Sequence, residues 1–179
     1  MLFRSNLVLV LLDEGRNEEA LELAHWVLDA KRRLFGEEDV QVAMALGNVG
    51  LARAALGQHA EALAPLRESL SLWERAVGPD NPTLWHALSG LARSALAVGE
   101  ADEARIATAR ALALLEAQGT PPSPDLLFTH ADATWAAGDR SSAIATMQRV
   151  ADMLPPDAPR ASGRVHRDQA TEWLAAHRI

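Results

Sequence analysis

The sequence predicts an all-α protein built as an array of helix hairpins, and three observations carry that prediction. Apolar residues recur at helical spacing, glycine punctuates them at a fixed interval, and alanine dominates the apolar set without any alternating β-branched run. Gly15, Gly57 and Gly99 stand 42 residues apart and Gly138 follows 39 later, each with an alanine five residues on: Ala20, Ala62, Ala104 and Ala143. A small residue there lets the two helices of a hairpin approach closely. Asp39, Asn81 and Ser123 share the 42-residue interval as N-cap residues. Pro82 and Pro124 follow two of them at the first helical position, where a missing N–H is harmless. Helix stop, close contact and cap recurring at one period mark an internal repeat.

The opening run MLFRSNLVLVLLDEGR reads as the first helix of repeat one. Its apolar stretch is short, Asp13 and Glu14 follow it and no small-residue cleavage site appears, so a signal peptide is not expected. Arg4 stands where later repeats have Leu46, Leu88 and Leu127. Leu2, Phe3 and Leu7 to Leu12 are too many apolar residues to bury on one partner helix. This end is therefore expected to pack against an upstream domain, another repeat or a second copy, because terminal repeats normally carry a polar face. The second helix spans about Asn17 to Phe35, with Lys31-Arg32-Arg33 expected as solvated surface near its C-terminus, where the helix dipole favours cations. Repeat two places Val49, Ala52 and Leu56 before Gly57, then Ala62, Leu66, Ser69, Leu70 and Trp73 after it. The predicted units are 2–38, 39–80, 81–122 and 123–154, together 1–154. A proline-rich linker at 155–161 cannot continue a helix, and an amphipathic segment at 162–179, with Val165, Ala170, Trp173 and Leu174 on one side, is expected to cap the open end.

Composition fits a folded chain: 49% hydrophobic and 23% charged among 179 residues. A net charge of −7 argues against nucleic-acid or anionic-membrane binding, since both need a basic face to displace counterions. The absence of cysteine excludes disulfides and thiolate chemistry, and a cytoplasmic protein is expected.

These residues resemble the tetratricopeptide repeat, and the 42-residue interval resembles the repeats of kinesin light chains. The resemblance rests on Asn48-Val49-Gly50, on Gly57 to Glu61-Ala62, on Ser69-Leu70-Ser71-Leu72-Trp73-Glu74 and on Gly78-Pro79-Asp80-Asn81-Pro82. It covers about residues 2 to 154; the family's tyrosines are absent and the fourth repeat is three residues shorter. The resemblance implies a right-handed α-solenoid of about four hairpins, whose first helices line a concave, peptide-binding face. Matching positions put Asn6, Leu9, Leu12 and Asp13 on that face in repeat one, and Asn48, Leu51, Ala54 and Ala55 in repeat two. Repeat three supplies His86, Gly90, Arg93, Leu96 and Ala97; repeat four supplies Phe128, Thr129, Asp132, Trp135 and Ala136. The predicted peptide-contact set within these is Asn6, Leu9, Asn48, Leu51, His86, Arg93, Phe128, Asp132 and Trp135. Asn6 and Asn48 fall where asparagine amides hold the backbone of an extended peptide in the kinesin light chain groove. Apart from Arg93, the cationic set that clamps a terminal carboxylate in chaperone-binding relatives is missing.

The competing reading packs Leu9, Leu51 and Leu96 within the array, puts Trp135 under the C-terminal helix and uses the asparagines to satisfy backbone groups. Reaction chemistry finds no anchor. The six histidines form no His-x-x-x-His or His-Glu-x-x-His pair, and no nucleophile elbow or phosphate loop occurs, so neither metal, cofactor nor enzyme activity is expected. Glu18-Glu19, Glu37-Glu38-Asp39 and Asp102-Glu103 sit where helix N-termini favour acidic side chains. His130, in line with Leu7, Val49 and Leu91, is expected as a hydrogen-bonded interior histidine. Two functional classes remain: a scaffold binding a peptide or partner segment on its concave face, or a structural, regulatory or self-association module using its apolar first helix. The second follows from a resemblance to repeats in large bacterial proteins that also carry kinase, nucleotide-binding or protease domains.

Overall fold

The computed structural model describes residues 2–153 and 161–177. Four hairpins follow one another: α1 (Leu2–Asp13) with α2 (Asn17–Phe35), α3 (Val40–Ala55) with α4 (His59–Val77), α5 (Trp85–Ala97) with α6 (Ala101–Ala117), and α7 (Pro124–Ala136) with α8 (Arg140–Met153). A single helical turn, Pro82–Leu84, leads into α5, and α9 (Ala161–Ala176) packs on α8. Each helix packs on the next, and α1, α3, α5 and α7 also touch in succession. Successive second helices are bridged by long side chains, so the stack curves with the first helices inside. Residues 155–160 of the expected linker, and the side chains of Leu2, Phe3 and Arg4, lie outside the described residues.

Local chemistry makes the four turns alike. Gly15, Gly57, Gly99 and Gly138 all hold positive φ, between 73° and 92°. That left-handed backbone is strained for other residues, so the helix stops there without cost. The next residue then donates its N–H back five positions: Arg16 to Leu11, Gln58 to Arg53, Glu100 to Ala95 and Asp139 to Thr134, at 2.8 to 3.1 Å. The expected caps form too. Asp39 Oδ1 accepts from the Gln41 N–H at 2.7 Å, Asn81 Oδ1 from Thr83 at 3.0 Å and Ser123 Oγ from Leu126 at 3.3 Å. The three residues missing from repeat four come out of its first helix: α7 has 13 residues where α3 has 16.

Ala20, Ala62, Ala104 and Ala143 are fully buried, where a larger side chain would have no room without moving its neighbours. Gly50 takes the principle further, since a Cβ there would lie 2.5 Å from Leu66 Cγ. The core is accordingly a chain of clusters rather than one centre. Val8, Val27, Val42 and Leu46 fill the first, Leu66, Leu84, Leu88 and Leu115 the second, and Leu127, Met147 and Ala170 the third, with Trp73 packing against the first two.

One expectation about the surface fails. Lys31 is 3% exposed, so only Arg32 and Arg33 of the basic run face solvent. Register explains it: Lys31 is in line with Trp73 and Leu115, both interior positions. Burial pushes its ammonium pKa down, against a smaller upward pull from Asp39. Arg32 instead reaches Glu37 at 2.8 Å and Glu68 of α4 at 3.4 Å. Arg67 of α4 likewise holds Glu103 of α6 at 2.5 Å and also pairs with Glu100, while Arg110 of α6 pairs with Glu74 of α4. Glu103 of the Asp102-Glu103 pair thus serves twice, at a helix start and as a bridge to the neighbouring outer helix. Hydrogen bonding to Arg67 keeps the Glu103 carboxyl below its ordinary range.

Candidate functional site

Three neighbouring cavities lie along the inner face. The middle of the array carries a cavity of about 200 Å³ between α3, α4 and α5, lined by Asn48, Leu51, Leu66, Trp73, His86 and Gly90. Towards the first hairpin, a cavity of about 410 Å³ is lined by Leu9, Leu12, Asp13, Leu51, His59 and Arg93. Towards α9, one of about 910 Å³ is lined by Arg93, Leu96, Phe128, Asp132, Glu172 and Trp173 among others. Leu51 lines the first two and Arg93 the last two, so the cavities are neighbours along the inner face, with lining residues from all four hairpins.

Helical periodicity explains why these side chains converge. Positions three and four apart on α3 and α5 share a face, so Gly47, Asn48 and Leu51 line up opposite His86 and Gly90. The small cavity exists because its walls lack side chains. A Cβ on Gly90 would meet Leu51 Cδ2 at 3.5 Å and Leu66 Cδ2 at 3.7 Å, ordinary contact distances, so alanine would fit there and take up part of the space. Its floor is fixed by Ser69, whose hydroxyl donates to the Ala43 carbonyl at 2.7 Å. His86 stacks on Trp85 with ring centroids 3.6 Å apart, and partial desolvation beside it lowers its imidazole pKa. Arg93 is exposed and has no carboxylate partner among the described residues.

At the far end α9 covers part of this face. The Trp173 indole N–H donates to Asp132 Oδ1 at 2.6 Å, and Trp173 stacks on His177 at 3.9 Å. Trp135 meets Trp173 edge-on at 5.6 Å and His177 at 4.5 Å, with the Arg140 guanidinium 5.2 Å from its ring. Nearer the start of α9, His166 lies 3.3 Å from Asp125 and 6.3 Å from the Phe128 ring.

Of the nine predicted contact residues, Leu9, Asn48, Leu51, His86, Arg93, Phe128 and Asp132 line these cavities. Asn6 is exposed on α1 away from them, and Trp135 lies against α9. Two contributions were not anticipated. Trp173 and His177 form a wall of the groove, although only a capping role was read from the amphipathic pattern of their helix. Gly47, together with Gly90, which the sequence already placed on the inner face, makes the small cavity; the signal for Gly47 was glycine inside a helical pattern, which costs stability and so usually has a packing reason. His130 bonds through Nδ1 to Thr108 Oγ1 at 2.8 Å across the α6–α7 joint; burial, with Arg105 adding to it, lowers its pKa. Among the described residues no group of three or more His, Asp or Glu is placed to hold a metal ion, and no helix is long and apolar enough to cross a membrane.

The family model described as tetratricopeptide repeat matches residues 2–75 and 42–117. No curated protein sequence matches the chain. Among solved structures, the nearly identical repeats of Podosopora anserina described as those of a kinesin light chain superpose with a TM-score of 0.79 at 20% identity, covering 97% of this chain and 83% of that one. A singly substituted form of the same repeats gives 0.78 at 20% identity, over 97% and 82%. BtubC (BKLC) from P. vanneervenii gives 0.71 at 23% identity, over 82% of this chain and 59% of that one. Such identities speak for the fold alone, a curved stack of hairpins whose general use is protein interaction. The chain belongs to the tetratricopeptide repeat family.

Proposed function

We propose that the chain is a non-enzymatic scaffold that takes an extended peptide segment of a protein partner along its inner face. The observation that carries this reading is the row of neighbouring cavities sharing Leu51 and Arg93, whose walls include seven of the expected inward-facing residues. The small cavity beside Asn48 and His86 accepts one apolar side chain of the ligand. The Asn48 amide can pair with ligand backbone there. Arg93, exposed and without a carboxylate neighbour among the described residues, offers a guanidinium to a carbonyl or carboxylate of the ligand. Aromatic, arginine and apolar anchors of this kind carry most of the energy of a peptide interface once water is excluded.

The test is a selection from a random peptide display library on the 179-residue chain, followed by affinities of the enriched peptides for Asn48→Ala, Arg93→Ala and the double variant. Each single change should weaken binding about tenfold, a loss of about 1.4 kcal/mol, while an exposed change such as Arg93→Ala shifts stability by no more than about 0.5 kcal/mol. Enriched peptides that bind the double variant as tightly as the parent chain would refute the reading. If the double variant unfolds, the two residues are structural.

A further inference from the structure

The two ends of the array differ in a way the groove does not explain. The repeat period allows each residue of α1 to be compared with its equivalents in α3, α5 and α7. Leu7 is in line with Val49, Leu91 and His130, and Val10 with Ala52, Ser94 and Ala133. At the three internal joints these positions are covered by the preceding hairpin: Val49 and Leu91 are at most 5% exposed, and Ala52, Ser94 and Ala133 are fully buried. On α1 the same face is open, with Leu7 44% and Val10 47% exposed, and Leu9 continues the apolar surface to the groove mouth. The opposite end is finished differently. Among the described side chains of α9, Asp168, Gln169, Thr171 and Glu172 face solvent, with Val165 the one exposed large hydrophobic.

We propose that the outer face of α1 pairs with the same face of a second copy of this chain, the two α1 helices crossing about a twofold axis. Three observations select this occupant. The face continues an interface that the chain builds three times internally, so it is shaped for a helix. It is not shaped for an ordinary preceding hairpin, because the slot that Val10 fills holds alanine or serine at every internal joint. Two extra methyl groups at a close-packed joint overfill it. Against another α1, Val10 and Leu7 meet their own copies and no such tight approach is imposed. Finally, Val165 is the one large hydrophobic exposed among the described side chains of α9, so head-to-tail stacking finds little apolar surface there to match Leu7, Leu9 and Val10, which favours the closed, isologous arrangement. The proposal is independent of the groove: a chain that binds no peptide still dimerises by it, and the inner face stays open in the dimer.

Sedimentation velocity of the 179-residue chain over a wide concentration range tests it, with Leu7→Glu and a pair of single-cysteine variants. The chain has no cysteine of its own, so Leu7→Cys and, as control on α9, Val165→Cys report proximity without background. A reversible dimer is expected, with a dissociation constant raised at least tenfold in Leu7→Glu. The Leu7→Cys variant is expected to oxidise to a covalent dimer much faster than Val165→Cys, because only a side chain near the axis meets its own copy. A chain monomeric at every concentration, a dimer indifferent to Leu7→Glu, or equal oxidation of the two cysteine variants overturns the proposal. Should Leu7→Glu fail to fold, the cysteine pair decides alone.

Discussion

Alanine at Gly50 and alanine at Gly90 should move stability in opposite directions, although both glycines are buried within inner helices. Glycine in a helix interior costs about 1 kcal/mol relative to alanine, so each substitution starts with that gain. At Gly90 nothing opposes it: the new methyl group would sit 3.5 Å from Leu51 Cδ2 and 3.7 Å from Leu66 Cδ2, at the edge of the 200 Å³ cavity. At Gly50 it would lie 2.5 Å from Leu66 Cγ and 2.6 Å from Leu66 Cδ2. Carbon atoms rest about 3.5–4.0 Å apart, so Leu66 must retreat by about 1 Å. Leu66 is 3% exposed and packed on the second core cluster, and the space left to it is that same cavity. Overpacking of this kind costs about 1–3 kcal/mol, which leaves Gly50→Ala destabilised by about 1 kcal/mol and Gly90→Ala stabilised by about the same. For a chain of this size 1 kcal/mol corresponds to about 2–4 °C in the melting temperature, so thermal and urea unfolding followed by circular dichroism resolve the two signs. Both changes also fill the cavity. Gly90→Ala should therefore be the more stable protein and the weaker binder of any peptide that anchors there. Equal stabilisation by the two substitutions would refute the packing account, and unchanged peptide affinity in Gly90→Ala would refute the role given to the cavity.

Trp173→Phe keeps an aromatic ring on α9 but removes the N–H that Asp132 accepts at 2.6 Å. A hydrogen bond to a charged group contributes about 1.5–3 kcal/mol, and in a stack of nearest neighbours the loss should appear as faster hydrogen exchange confined to α9 and its contacts. Uniformly faster exchange across the chain would contradict that. His130 has a pKa lowered in the fold by burial and by Arg105, so the unfolded chain takes up the proton first as pH falls. Stability contributed by the neutral ring is present above the ordinary imidazole value of about 6.5, is lost as pH drops through it, and levels off below the lower folded value. Urea unfolding from about pH 8 to pH 5 should show that decline, and His130→Leu, which restores the side chain of Leu91, should flatten it.

The hairpins were legible because their signals are local. A left-handed turn needs glycine, a helix start needs an acceptor side chain, and a close crossing needs alanine; each recurs at the period and does in the structure what its chemistry requires. Lys31 shows where local reading fails. Its type points to solvent while its register points to the interior, and register prevails, as it does for Leu115 and in part for Trp73 in the same slot. The groove was legible as a line of residues but not as a volume, since the cavity depends on what Gly47 and Gly90 lack. The contacts of Trp173 and His177 depend on how α9 returns over α7 and α8, which no repeat in the sequence encodes.

That return narrows one end of the proposed site. With Asp132 bonded to Trp173 and Trp135 packed against both Trp173 and His177, the chain itself takes up part of the inner face of the fourth hairpin. The site runs from Leu9 past Arg93 into the cavity beside α9, and its character changes along the way. Leu9, Leu12 and Leu51 make the first part apolar, while the cavity beyond Arg93 carries Asp125, Asp132 and Glu172. Arg93 therefore stands between an apolar stretch and an acidic one. Placing a ligand carboxylate there is favoured by the guanidinium, but extending the ligand past it in acidic residues is opposed by like charge. A fitting peptide has its apolar anchors on the α1 side of the carboxylate and neutral or basic residues on the α9 side, and charge reversal at Arg93 should invert that preference at the contact itself while leaving the apolar anchors unchanged.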